Sequence, residues 1–245
     1  MSELVESIRK RYLSTLEKIA IAAHHAGRDP ESVKLVVVTK TQPIEVVSAA
    51  IEAGVKIFGE NYPEEGVTKL QSIPEVSAVE WHMIGHVQSR KAQLVAGNFN
   101  FLHSLDSLKL ARRLDRFCGE AGRVLPTLLE FNLGGEDSKS GWSVSDEALP
   151  PFLLEEISAI IALPNLRVRG LMVMPPLGTS AEFSRPYFQK LKRLQQVLAL
   201  QFSGVDFSEL SMGTSTDYEV AVQEGATLVR VGTAIVGARQ YITEA

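Results

Sequence analysis

The run Leu35-Val36-Val37-Val38-Thr39-Lys40 is followed by Ile44-Glu45-Val46-Val47-Ser48-Ala49-Ala50-Ile51-Glu52-Ala53, and then by Val55-Lys56-Ile57-Phe58-Gly59-Glu60-Asn61. The first run, and Val55, Ile57 and Phe58 of the third, supply β-branched and apolar residues of the kind that suit a buried strand. The middle run spaces its apolar residues for a helix and stops at Gly54. A strand, a crossover helix and a second strand make a parallel βαβ unit. The unit recurs along the chain, with strands expected at 35–40, 55–61, 79–85, 100–105, 124–133, 167–174, 209–213 and 227–231. Helices are expected at 44–53, 88–96, 107–121, 146–161, 183–200 and 217–223. An amphipathic helix over 2–27, with Leu4, Val5, Ile8, Leu13, Leu16 and Ile19 at helical spacing, precedes the first strand. Eight such units close most simply into a barrel, with an open doubly wound sheet as the alternative. The expected class is α/β, a single (β/α)8 TIM barrel with an extra N-terminal helix, forming one domain over 1–245.

Composition agrees with that reading. The chain has 245 residues, 45% of them hydrophobic, and one barrel uses about 250 residues. Net charge is -4, from 25 basic and 29 acidic residues, and neither sign gathers into a run, so neither nucleic acid nor a membrane surface is an expected partner. A single cysteine, Cys118, cannot form an intrachain disulfide. Acids at Glu3 and Glu6, where a targeting peptide carries bases, point to the cytoplasm. Apolar runs are far shorter than the roughly 20 residues of a membrane-spanning helix.

Barrel chemistry gathers where the strands end and the βα loops meet. Lys40 puts an amine at the end of the first strand; by itself it could equally be a lysine reaching for solvent. Barrels hold phosphate on the loops after the seventh and eighth strands. Here those loops read Ser211-Met212-Gly213-Thr214-Ser215-Thr216-Asp217 and Gly232-Thr233-Ala234-Ile235-Val236-Gly237, rich in hydroxyls and amides that either bind an anion or cap helices. Arg230, in an otherwise apolar strand, must find a buried partner or reach the mouth. It would serve either in a salt bridge or as a charged donor to an unprotonated aromatic nitrogen. An amine, a phosphate cradle and an arginine for a ring nitrogen are together what pyridoxal 5'-phosphate requires.

Almost the whole chain resembles the YggS/PROSC family of pyridoxal phosphate homeostasis proteins, relatives of the alanine-racemase barrel. The resemblance rests on Val38-Thr39-Lys40-Thr41-Gln42, Phe58-Gly59-Glu60-Asn61-Tyr62, Trp81-His82-Met83-Ile84-Gly85, Gly170-Leu171-Met172, Leu210-Ser211-Met212-Gly213 with Ser215-Thr216-Asp217, and Val229-Arg230-Val231-Gly232-Thr233. It implies the type III pyridoxal phosphate fold, with Lys40 forming a Schiff base to the cofactor and Arg230 facing the pyridine nitrogen. It further implies Ser211, Gly213, Thr214, Ser215, Gly232 and Thr233 around the phosphate, and Asn61 and Met172 lining the ring. The chain departs from the family at Met83, Val87, Arg90 and Thr214. Lys139 also matches a family motif and reads as loop surface.

Three function classes follow. The first is a carrier or regulator that buffers pyridoxal phosphate and passes it to apo-enzymes, as a monomer and without turnover. The second is a single-domain amino-acid racemase, whose second acid/base would be Tyr62, His82 or a group from an oligomer partner, since only residues 238–245 follow Gly237. The third is a Schiff-base aldolase on a sugar phosphate. Metal catalysis is weakest, because His24, His25, His82, His86 and His103 have no ligand spacing; His24 and His25 are expected on an exposed helix face.

Overall fold

The computed structural model describes residues 2–73, 79–136, 139–144, 149–176, 178 and 180–238. The first half contains α1 (Glu3–His25), β1 (Lys34–Val38), α2 (Ile44–Glu52), β2 (Ile57–Glu60), α3 (Pro63–Ser72), β3 (Glu80–Met83), α4 (Ala92–Asn98), β4 (Phe101–Leu105) and α5 (Leu108–Glu120). The second half contains β5 (Leu125–Asn132), β6 (Trp142–Ser143), α6 (Pro151–Ile161), β7 (Leu166–Val173), α7 (Arg185–Gln201), β8 (Glu209–Ser211), α8 (Tyr218–Gln223), β9 (Leu228–Val231) and α9 (Thr233–Val236).

The strands pair in parallel in the order β4-β3-β2-β1-β9-β8-β7-β5, and β4 pairs back onto β5. That last pairing closes a ring of eight and rules out the open sheet. The two-residue β6 stands outside the ring. Pairing of β4 with β5 runs to Leu105 opposite Leu129, and beyond it β6 takes the freed edge at Phe131 opposite Trp142.

Period-two alternation sorts each strand between two environments. On β9, Val229 and Val231 join the large core between barrel and helices, whereas Leu228 joins a small interior cluster with Val36, Leu128 and Met172. Arg230, two residues on from Leu228, therefore points inward as well. Helix α1 packs beside α2 and α8. Its start is capped by the Ser2 hydroxyl, which accepts from the Val5 amide at 3.3 Å, and its acids Glu3 and Glu6 lie at the positive end of the helix dipole. Among the described residues no helix is long and apolar enough to cross a membrane.

Four local features differ from expectation. Strand β1 stops at Val38 because the chain turns from Thr39 to Gln42, closed by the Gln42 amide donating to the Thr39 carbonyl at 3.0 Å with Thr41 at φ 58°. Helix α3 was not expected, because its buried positions are Pro63, Gly66 and Lys69 rather than a row of apolar residues. Helix α6 starts at Pro151 instead of 146, since Pro150 and Pro151 each bar helical geometry in the residue before them; 146–148 lie outside the described residues. The loop after the last barrel strand folds into the four-residue α9.

Candidate functional site

Lys40 sits two residues beyond β1, half-buried in a turn at the barrel mouth. A buried polar brace holds the residues on both sides of it. The Lys69 ammonium donates to the Thr39 carbonyl at 2.6 Å, to Glu60 Oε1 at 2.8 Å and to Glu65 Oε1 at 2.6 Å. Glu65 Oε1 also accepts the Thr41 amide at 2.6 Å, and the Thr39 hydroxyl donates to Glu60 Oε1 at 2.7 Å. One lysine thus fixes the carbonyl before Lys40 while its carboxylate partner fixes the amide after it. Burial pushes the Glu60 carboxyl above the usual range, opposed by the charge and hydrogen bond of Lys69. The spacing of Glu65 and Lys69 suits an i,i+4 pair, but nothing in the sequence says that this pair faces inward.

Arg230 lies in the interior, 4% exposed. Its Nη2 donates to the Val173 carbonyl and to Met174 Sδ, both at 2.9 Å, and its Nη1 donates to Ser211 Oγ. Burial lowers the guanidinium to about 10, with Glu130 and Asp217 pulling the other way. Ser211 stands apart from the phosphate-loop residues with which it was grouped: its hydroxyl lies between Arg230 and His103 Nδ1, the latter at 2.8 Å. His103 Nε2 meets His82 Nδ1 at 2.9 Å, and His82 Nε2 meets Glu80 Oε2 at 3.2 Å. His82, one of the acid/base candidates of the racemase reading, is buried, 1% exposed, between His103 and Glu80. Tyr62, the other candidate, is 53% exposed at the start of α3. His24 and His25 are exposed on α1, as expected.

The two phosphate-type loops come together beside α1. The Gly232 amide donates to Ser215 Oγ at 3.2 Å, and the Arg230 amide donates to the Gly213 carbonyl at 3.0 Å. Gly213 has φ 91°, and a Cβ there would stand 2.5 Å from the Ala221 Cβ. A Cβ on Gly232 would press to 3.1 Å from the Val38 carbonyl oxygen. Thr214 gives both its amide (2.6 Å) and its hydroxyl (3.0 Å) to Asp217 Oδ1. Thr233 opens α9, whose N-terminus has no side-chain cap. A cavity of about 300 Å³ next to these loops is lined by Ser215 and Ala234 together with Lys10, Arg11 and Lys18 of α1, so the N-terminal helix brings cations to the region.

Across the mouth, Asn61 Oδ1 and Glu130 Oε2 are buried and have no hydrogen-bond partner. Glu130 lines a cavity of about 250 Å³ with Asn132, Lys139, Ser140 and Met174. Lys139 reaches further than a surface lysine: it pairs with Glu136 at 2.5 Å and donates to the Pro175 carbonyl at 2.8 Å. Met172 lies deeper, 1% exposed, in register with Glu130 on one side and Ser211 on the other.

Burial first, then Asp106, pushes the Glu130 carboxyl up to about 7, against the pull of Arg230. Between the ordinary 4.5 and about 7 the folded protein holds a proton that the unfolded chain releases. Stability present at pH 5 is therefore lost as pH rises through 7, by about 3 kcal/mol. Urea unfolding at pH 5 and pH 8 should show this fall in the wild type and a flatter profile in Glu130→Gln. Equal slopes in the two proteins would refute it.

Residues 16–240 match the family described as alanine racemase, N-terminal domain. The chain is 40% identical over 240 residues to the pyridoxal phosphate homeostasis protein of Vibrio alginolyticus, covering 97% of this chain and all of that one. It is 39% identical to the protein of the same name from Escherichia coli, over 92% of this chain and 94% of the other. Among solved structures, PipY of Synechococcus elongatus with PLP bound is similar at TM-score 0.80 and 35% identity, covering 94% of this chain and all of that one. An alanine racemase from Clostridium difficile is similar in fold alone, at TM-score 0.69 and 16% identity, over 98% of this chain and 58% of the racemase. The chain belongs to the alanine racemase N-terminal domain family, and within it to the pyridoxal phosphate homeostasis proteins.

Proposed function

We propose that this barrel binds pyridoxal 5'-phosphate at its mouth and serves in its homeostasis as a carrier or regulator, without catalytic turnover. The observation that carries the reading is convergence. Lys40, Arg230, the unpartnered Asn61 Oδ1 and two loops joined by the Gly232–Ser215 bond all lie at the C-terminal end of one barrel. These residues fit the group: a held amine for an aldehyde, a donor for a ring nitrogen, and glycines that let backbone approach a phosphoryl oxygen. The names of the homeostasis relatives and PipY with PLP bound support the same ligand.

When bound, the cofactor supplies an aldehyde and an electron-accepting ring. Lys40 provides the amine. Gly213, Thr214, Ser215, Gly232 and Thr233 hold the phosphate end, Asn61 and Met172 line the ring, and Ser211 acts through Arg230. The guanidinium, a donor that keeps its charge, opposes protonation of the ring nitrogen and so weakens the electron sink. That favours holding and delivery over carbanion chemistry, with apo-enzymes as recipients and residues 1–245 acting as one domain. Borohydride treatment of the cofactor-loaded protein, followed by peptide mass mapping, tests the site. The reduced adduct is expected on Lys40, and an adduct on another lysine would overturn the assignment. Arg230→Glu should shift the absorption band of the bound cofactor by allowing the ring nitrogen to protonate; an unmoved band would make Arg230 structural.

One observation favours a racemase as the second reading: Glu130, buried, with Oε2 lacking a hydrogen-bond partner and its carboxyl pushed up to about 7, lies on the strand opposite β1 in the eight-strand ring. Formation of a D-amino acid from its L-isomer, lost in both Lys40→Ala and Glu130→Gln, would promote that reading over the carrier.

A further inference from the structure

Arg230, Ser211, His103, His82 and Glu80 form one hydrogen-bonded file through the barrel interior. It begins where Arg230 meets the Val173 carbonyl at the end of β7, and it finishes at Glu80, the first residue of β3 at the opposite end. Phe101 walls the file, its ring centroid 5.1 Å from each imidazole. At the far end Lys34 and Glu209 pair at 3.4 Å.

The end groups determine the direction of every bond between them. Burial lowers both imidazoles below their usual value, so each ring is neutral, with one donor and one acceptor nitrogen. The hydrogen bond from His82 keeps the Glu80 carboxyl low, so it is an ionised acceptor. His82 must then donate from Nε2 and accept at Nδ1. His103 must in turn donate from Nε2 and accept at Nδ1, which only the Ser211 hydroxyl can supply. Ser211 therefore donates toward His103 and turns its lone pairs to Arg230, which can only donate. The file admits a single arrangement, and all its donors point away from the mouth.

We propose that His82 and His103 are positioning residues that hold the Ser211 hydroxyl turned away from Arg230, so that the guanidinium is fixed where it faces the cofactor ring. The inference rests on the reading of Arg230 as the neighbour of the ring nitrogen. It makes the ring contact depend on side chains that no ligand at the mouth touches. Breaking the file at His82 leaves His103 Nε2 without an acceptor and frees His103 to reverse its tautomer. A reversed His103 would donate to Ser211 and compete with Arg230 for the same oxygen.

Nitrogen NMR of 15N-histidine-labelled, cofactor-loaded protein reads the arrangement without any substitution. Both interior rings should be neutral and protonated on Nε2, and an Nδ1-protonated ring at either position overturns the proposal. In parallel, His82→Phe should weaken cofactor binding about tenfold and move its absorption band in the direction of Arg230→Glu. His82→Gln should restore both, because its amide oxygen accepts from His103 and its NH2 donates to Glu80. If His82→Phe changes neither while Arg230→Glu moves the band, the proposal falls and the reading of Arg230 stands. If Arg230→Glu leaves the band in place, the reading of Arg230 falls and takes the proposal with it.

Discussion

Lys40→Ala is expected to abolish borohydride-stable attachment of pyridoxal 5'-phosphate and to weaken its binding by at least about 100-fold, while stability changes by less than about 1 kcal/mol. The separation of the two effects follows from the architecture. The brace grips the Thr39 carbonyl and the Thr41 amide, backbone groups that the substitution leaves in the chain, so Lys69, Glu60 and Glu65 keep these bonds. The bond from the Gly232 amide to Ser215 and that from the Arg230 amide to Gly213 remain, so weak, reversible binding through the phosphate end should survive. Equilibrium dialysis before borohydride and mass mapping after it measure the two parts. Undiminished attachment in Lys40→Ala, for instance on Lys139 beside the mouth cavity, would transfer the role to another lysine.

Lys69→Met is expected to cost about 3–5 kcal/mol, the usual consequence of removing one partner from a buried ion pair. Methionine fills most of the volume but leaves Glu60 and Glu65 facing each other with no cation, and the Thr39 carbonyl without its donor. Glu60, already pushed up by burial, would rise further, so the variant should lose stability as pH increases through the carboxylate range and recover some of it on acidification. Adding Glu60→Gln should restore part of the loss, because it removes the uncompensated charge. Urea midpoints of the two single variants and the double variant test this. A Lys69→Met protein within about 1 kcal/mol of the wild type would show that the brace is not a structural determinant of the Lys40 turn.

Much of the fold is legible in the residues. Eight apolar β-branched runs separated by amphipathic segments determine a parallel α/β fold, because strands buried on both faces cannot afford polar alternation and crossovers of that length are helical. The loops after the last two strands were legible from their glycine and hydroxyl content. Helix α3 was not, because its buried face consists of Gly66 against Phe99 and Lys69 against two carboxylates, and neither raises an apolar periodicity. Nor could composition reveal that α1 would line a cavity next to Ser215, or that Glu130 Oε2 on β5 would lie buried without a hydrogen-bond partner.

By itself, the order of residues determined which segments are strands and helices, which ends carry an amine, an arginine and glycine-rich turns, and to which family the pattern belongs. Tertiary structure alone decided that β4 meets β5, that Arg230 reaches His82 only through Ser211 and His103, and that Lys69 braces both neighbours of Lys40. The physical reason is range. Propensity and periodicity act within a few residues, whereas ring closure and the partners of inward-facing polar groups depend on strands 19 and 108 residues apart in sequence being brought side by side.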